Sequence, residues 1–301
     1  FLYETTYSKY EVMDGLQRIT AIYEFYNDEF ALEGLEEWSE LNGYKYSELP
    51  EVIRLGIDRR YLSSIILLQE TAKNELEALN MKQLVFERLN SGGIELSDQE
   101  TRNALHDGKL NQMCLELSKN VKFRKLFNIP ANVDKKDGIT GNALYDRMED
   151  VELVLRFFAF RQIEKWMNKY IKKFLSEYLI LGNNFSEETL ADLKMCFNET
   201  IDIIYEVMGE SAFRLWKATP NSNELKQVPK PTRVLYDPFM LAFCQYIDQA
   251  DKILENKEKI FAEIKKVFAE SPEFFISRFN KSDIIRRREA IKNAIDKVVG
   301  E

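Results

Sequence analysis

The stretch EVMDGLQRITAIYEF, residues 11–25, constrains this chain more than any other, because it reads as a strand, a glycine turn and an amphipathic helix in immediate succession. Tyr10, Val12 and Met13 are apolar or β-prone, Asp14-Gly15 is a strong turn pair, and apolar residues recur at helical spacing from Leu16 onward. The pattern assigns Leu16, Ile19, Tyr23 and Tyr26 to a buried face. It also places Asp14 to cap the helix by accepting from the backbone N–H of Gln17 or its neighbour. Arg18 then falls in the first turn, where the helix dipole makes an exposed cation unfavourable by about 0.3–1 kcal/mol. Two readings relieve that conflict. Arg18 pairs with Asp14 or turns to water, or a phosphate or carboxylate occupies the same helix start and is gripped by the guanidinium.

The flanking sequence extends this unit. Phe1-Leu2-Tyr3 and Tyr10-Glu11-Val12 are the strands of a β-hairpin with Thr5 to Lys9 as its turn. Tyr44-Lys45-Tyr46 reads as a short strand, Glu51 to Leu55 as a short helix, Tyr61 to Leu68 as a buried strand and Asn74 to Leu89 as a helix. From about Asp98 the pattern is helix after helix, with long segments at 144–178, 187–208, 237–249, 252–269 and 281–299. Loops are expected at 130–141 and 221–231. The fold class is therefore α+β: a small mixed N-terminal region followed by a predominantly helical C-terminal region. Its boundary near residues 130–141 gives domains of 1–135 and 136–301.

Composition excludes several classes of function. With 45% hydrophobic and 31% charged residues in 301, the chain has ample material for a core. The formal net charge of -8 requires any contact with DNA to come from a local basic patch. The densest basic run is Arg286-Arg287-Arg288, for which a solvated helix face is the alternative. No apolar run reaches the roughly 18–20 residues that span a bilayer, so no membrane association is expected. Cys114, Cys196 and Cys244 are widely spaced in helical patterns and read as buried thiols of a reducing, cytoplasmic protein. Trp38, Trp166 and Trp216 read as core residues. The single histidine, His106, cannot build a multi-histidine metal site or an HNH nuclease module, and it is expected near a helix end terminated by Gly108.

A second motif, FERLNSGGIELSDQETRNAL, spans residues 86–105. Asn90-Ser91-Gly92-Gly93 is a turn that admits positive φ, and Ser97-Asp98-Gln99-Glu100 is a capping box that opens a helix. Caps and turn residues alone account for that much. Arg88, Asn90, Glu100, Arg102 and Asn103 nevertheless crowd polar groups around a second anion-friendly helix start.

DGLQRIT, residues 14–20, resembles the DGQQR(L/I)T motif of the GmrSD-type family of restriction proteins, also called domain of unknown function 262, with a ParB/sulfiredoxin-like core. FLYETTYSKYEVM is similar to the strand pair preceding that motif, FERLNSGGIELSDQETRNAL to the family's second block, and YDRMEDVELVLRFFAF to the helix that follows. The resemblance implies a nucleotide-hydrolysing module of bacterial defence against modified DNA, working with GTP or another nucleoside triphosphate and a magnesium ion. It implies catalytic roles for Asp14, Gln17 and Arg18: Asp14 holds the metal or orients water, Gln17 positions water, and Arg18 stabilises charge on the phosphoryl group. Gly15, Thr20, Arg88, Asn90, Glu100, Arg102 and Asn103 would complete the nucleotide pocket. Leu16 replaces the family's first glutamine. The strand and helix expected before the hairpin do not precede Phe1, so the N-terminal region reads as incomplete. Without an HNH module, cleavage of DNA would fall to a separate nuclease subunit or to a different site. The alternative is a non-catalytic DNA- or protein-binding module that keeps the fold but not turnover.

Overall fold

A computed structural model of the chain describes residues 1–68, 72–73, 75–89, 96–130, 142–165, 170–218, 225–271 and 280–300. Contacts divide the chain into two units, Phe1–Glu95 and Leu96–Glu301. The division falls earlier than the boundary at 135 expected from the periodicity, because the helix opened by Ser97 packs with the helices that follow it. An α+β unit followed by a helical unit is the architecture found.

In the first unit β1 (Leu2–Thr6) pairs antiparallel with β2 (Lys9–Val12), as the hairpin pattern requires, and the turn is tighter than expected, with Ser8 in the left-handed region. The ladder closes with Met13 N–H donating to the carbonyl of Phe1 at 2.9 Å. The hairpin therefore delivers the chain directly into α1 (Leu16–Tyr26). α2 (Glu51–Asp58) follows, then β3 (Ile66–Leu67), which runs parallel to β1 and completes a sheet of order β2-β1-β3. Only two residues of the expected 61–68 strand pair, and it is not buried: Tyr61 is 98% exposed. Tyr44-Lys45-Tyr46 forms no strand; a 3-10 turn starts at Tyr46 instead. α3 (Glu75–Leu89) packs on the sheet through Lys82, whose ammonium lies 2.6 Å from Glu11 Oε2 and 5.0 Å above the Tyr3 ring.

The expected buried face of α1 is not buried. Leu16, Ile19, Tyr23 and Tyr26 are exposed, and Phe25 is the residue that enters a small core with Leu41 and Leu49. Two tyrosines brace this core, since Tyr26 and Tyr46 both donate to Asp58 Oδ1, at 3.1 and 2.6 Å. That shared carboxylate pushes the Tyr46 phenol up to about 12.

The second unit opens with α4 (Asp98–Leu105), α5 (Lys109–Leu117), α6 (Val121–Phe127) and α7 (Ala143–Asp146). The single helix expected over 144–178 is broken, giving α8 (Glu149–Phe160) and α9 (Ile171–Gly182). α10 (Glu187–Met208) matches the sequence expectation. β4 (Arg214–Ala218) and β5 (Leu225–Pro231) form an antiparallel ribbon where a loop was expected. α11 (Arg233–Phe243), α12 (Ala250–Glu255), α13 (Lys257–Glu270) and α14 (Lys281–Val299) complete the unit.

The centre of this unit is built from α8 and α11. Every residue of α8 from Val151 to Phe160 except Glu152 is buried, as is every residue of α11 from Val234 to Phe243. Aromatic rings from several helices meet there, with Phe127, Phe213 and Tyr236 within 5.2–5.6 Å of one another. Asn183, capping α9, accepts from the backbone N–H groups of Leu110 and Asn111 and donates to the carbonyl of His106. His106 closes α4 as expected, but Gly108 begins α5 instead of ending α4. A Cβ at Gly108 would lie 2.3 Å from Cγ of Asn183, so close approach, and not backbone conformation, selects the glycine. Among the described residues no helix is long and apolar enough to cross a membrane. All three cysteines are free, and burial pushes the Cys244 thiol up to about 12.

Candidate functional site

The DGLQRIT segment sits where the hairpin meets α1, and its geometry departs from the expected cap. Gly15, at φ +95°, is the N-cap residue, and no side chain caps the helix. That φ lies in the left-handed region, which any residue with a Cβ enters only with strain. The Asp14 carboxylate turns to a side chain instead, and its Oδ2 accepts from Arg18 Nη2 at 2.9 Å. The guanidinium folds back over Gly15, with Nη2 3.4 Å from where a Cβ would stand. Asp14 is therefore not the cap, because pairing with Arg18 uses the carboxylate that capping would have needed.

The consequence is electrostatic. α1 has no acidic residue in its first turn and no side chain on its leading N–H groups, so the positive end of the helix stays open. Arg18 is 76% exposed, and Gln17 and Thr20 are also exposed on this turn. Asp14, Gly15 and Arg18 thus form one accessible cluster, while the Asp14 pairing by itself answers the dipole conflict posed by Arg18. One carboxylate suits a magnesium ion only where waters and nucleotide phosphates supply the remaining ligands. Among the described residues no group of three or more His, Cys, Asp or Glu side chains could hold a metal.

The second motif divides between the units. Arg88, exposed in the last turn of α3, belongs to the first, and Asn90 lies outside the described residues. Glu100, Arg102 and Asn103 belong to α4 in the second unit. The capping box forms as the sequence requires, with Glu100 N–H donating to Ser97 Oγ at 3.1 Å and Ser97 N–H to Glu100 Oε2 at 2.6 Å. Glu100 also faces Arg147 at 3.7 Å. Asn103 Oδ1 accepts from Asn111 at 2.9 Å. Arg102 is only 2% exposed; its Nη1 donates to Gln99 Oε1 at 2.8 Å and Glu152 Oε2 at 3.1 Å. Arg102 Nε and Gln99 Nε2 are buried donors that no protein acceptor reaches among the described residues. Such groups in native proteins are usually satisfied by water or a ligand oxygen.

Behind Arg102 lies an ionic cluster that the motifs do not announce. Glu152 also faces Arg156 at 3.8 Å and Arg233 at 3.6 Å. Arg156 grips Asp237 in a bidentate pair, Nε to Oδ1 at 3.1 Å and Nη2 to Oδ2. Burial pushes the Asp237 carboxyl up, and the Arg156 guanidinium opposes that shift. The available signal was a lone charge inside each of two apolar runs, LVLRFFAF and VLYDPFMLAF: opposite charges in buried segments must find one another. The arginine triplet on α14 is dispersed. Arg287 is 1% exposed and so turns into the unit, Arg286 is exposed near Asp283, and Arg288 pairs with Glu289 at 2.7 Å. A continuous basic face does not form there, since helical rotation separates adjacent residues by about 100°.

Neither the curated proteins nor the solved structures contain a match to this chain. A family model described as GmrSD restriction endonuclease, N-terminal domain, matches residues 1–106, a span holding DGLQRIT, Arg88 and all of α4. Residues 107–301 lie outside that match. Over residues 1–106, about a third of the chain, the sequence is thus similar to the GmrSD N-terminal domain.

Proposed function

We propose that the chain is a nucleotide-binding and nucleotide-hydrolysing component of a restriction or anti-phage defence system, with phosphate held at the start of α1. The observation that carries this reading is the N-terminus of α1, which no side chain caps, beside an arginine that is 76% exposed in its first turn. Gly15 leaves room for a phosphate to approach the backbone. Arg18, released from Asp14, is the charge-stabilising group, and Gln17 on the same turn orients the attacking water. Asp14 would help hold a magnesium ion that neutralises phosphate charge. The restriction context rests on the family match over residues 1–106.

The competing reading is a non-catalytic DNA- or protein-binding module, and a specific observation favours it. Arg102, Glu100 and Asn103 are all engaged inside their own helical unit. Incubating the protein with GTP or ATP and magnesium, beside Arg18→Ala, separates the two. Phosphate release by the wild type above the variant supports turnover. Equal release from both assigns the fold to binding alone.

A further inference from the structure

The β4–β5 ribbon carries a feature that folding alone does not explain. Lys217 and Lys226 are direct cross-strand partners, so their side chains leave the same face of the ribbon. Like charges directly opposite one another destabilise a strand pair. Both lysines are exposed, and among the described residues neither ammonium meets an acidic partner. Lys230, exposed as well, stands four residues along β5 and lines a cavity of about 540 Å³ together with Arg233, Thr232, Asn142 and a single acid, Glu149. Arg233 is itself paired, with Glu149 at 3.5 Å and Glu152 at 3.6 Å, so in a chain of net charge -8 the positive charge without an acidic partner among the described residues is that of the three lysines. The other face is anchored: Trp216, opposite Gln227, packs 6.2 Å from the Phe261 ring and beneath the Lys265 ammonium at 4.2 Å. The ribbon is therefore held on α13 by one face while the lysines project from the other.

We propose that this ribbon is a docking surface for the phosphate backbone of duplex DNA, with Lys217, Lys226 and Lys230 as its contacts. A two-stranded ribbon has the cross-section that a major groove admits, and lysines placed without carboxylate partners suit phosphates, which supply the missing negative charge. The surface lies beyond the family match and does not depend on nucleotide binding at α1. It also replaces the α14 arginines as the site of DNA contact, because Arg287 is buried.

Fluorescence anisotropy with a random-sequence 20-base-pair duplex, titrated across salt concentrations, tests the proposal on the full chain. Each lost phosphate contact reduces the slope of log K against log salt by about 0.9, so Lys217→Gln/Lys226→Gln/Lys230→Gln is expected to flatten it by about 2.7. Lys226→Gln alone, a single exposed change, is expected to flatten it by about 0.9, and a Lys→Arg triple to leave it unchanged. The melting temperature of the Gln variants is expected to hold or rise as repulsion is relieved, whereas a structural role would lower it. The proposal fails if the wild type does not bind the duplex, if the Gln variants keep the wild-type slope, or if polyglutamate competes as well as DNA, which would assign the surface to an acidic protein.

Discussion

Arg18 reaches back one helical turn and places Nη2 2.9 Å from Oδ2 of Asp14, so the residue that offends the helix dipole is neutralised by the residue that would otherwise have capped the helix. The exchange leaves the first N–H groups of α1 open to an anion. Exposed i,i+4 pairs are worth about 0.3–0.5 kcal/mol, so Arg18→Ala is expected to leave the urea midpoint nearly unchanged while lowering nucleotide turnover. A large loss of stability would show that Arg18 serves the fold and not a ligand.

The Arg156–Asp237 pair joins α8 to α11 deep in the second unit. Removing one partner strands a buried charge, which costs about 3–5 kcal/mol. Asp237→Ala and Arg156→Ala are each expected to destabilise the helical unit by that order. Chemical denaturation of both, together with the double variant, should show the double losing much less than the sum.

Gly108 and Asn183 form a second coupled pair, this one steric. Gly108→Ala forces a methyl against an amide locked by three hydrogen bonds, an overpacking that costs about 1–3 kcal/mol. Asn183→Ala deletes those bonds, at about 1–3 kcal/mol for the groups left unpaired. The Gly108→Ala/Asn183→Ala chain is expected to be more stable than additivity allows, because the second change removes the clash created by the first. Thermal melts of the four proteins in the cycle check this.

Asp150, at the start of α8, lines a cavity of about 360 Å³ with Arg124 and Tyr145. Burial raises its carboxyl to about 6 from an ordinary 3.8, against the opposing pull of the Val151 N–H and Arg124. The folded chain therefore holds this proton more tightly than the unfolded chain does. Stability from this group falls as pH rises from about 4 to 6, and above that window the ionised carboxyl costs about 3 kcal/mol. Asp150→Asn is expected to remove the penalty at pH 7 and to lose the gain on lowering pH to 5. Urea midpoints at both values, compared with the wild type, isolate the contribution.

Much of the fold was legible in local pattern. The hairpin, the capping box at Ser97, and helices α10 and α14 follow from spacing and caps, because those signals act between residues close in the chain. What failed was the assignment of faces. Leu16, Ile19, Tyr23 and Tyr26 make a regular apolar stripe, yet only Phe25, on a different side of α1, meets Leu41 and Leu49. Periodicity reports that a helix has an apolar side; which residues are covered depends on segments distant in sequence.

The candidate site divides in the same way. DGLQRIT determined the turn at Gly15 and the start of α1, and it lies within the 1–106 match to the family model, since each is written in contiguous residues. Only tertiary structure decided that Arg102 is sunk against Glu152, that Arg287 leaves its neighbours for the interior, and that Lys217 stands opposite Lys226. Those relationships join residues far apart in the chain or depend on which side of a helix is packed. Long-range packing sets them, through the balance between desolvating a charge and pairing it.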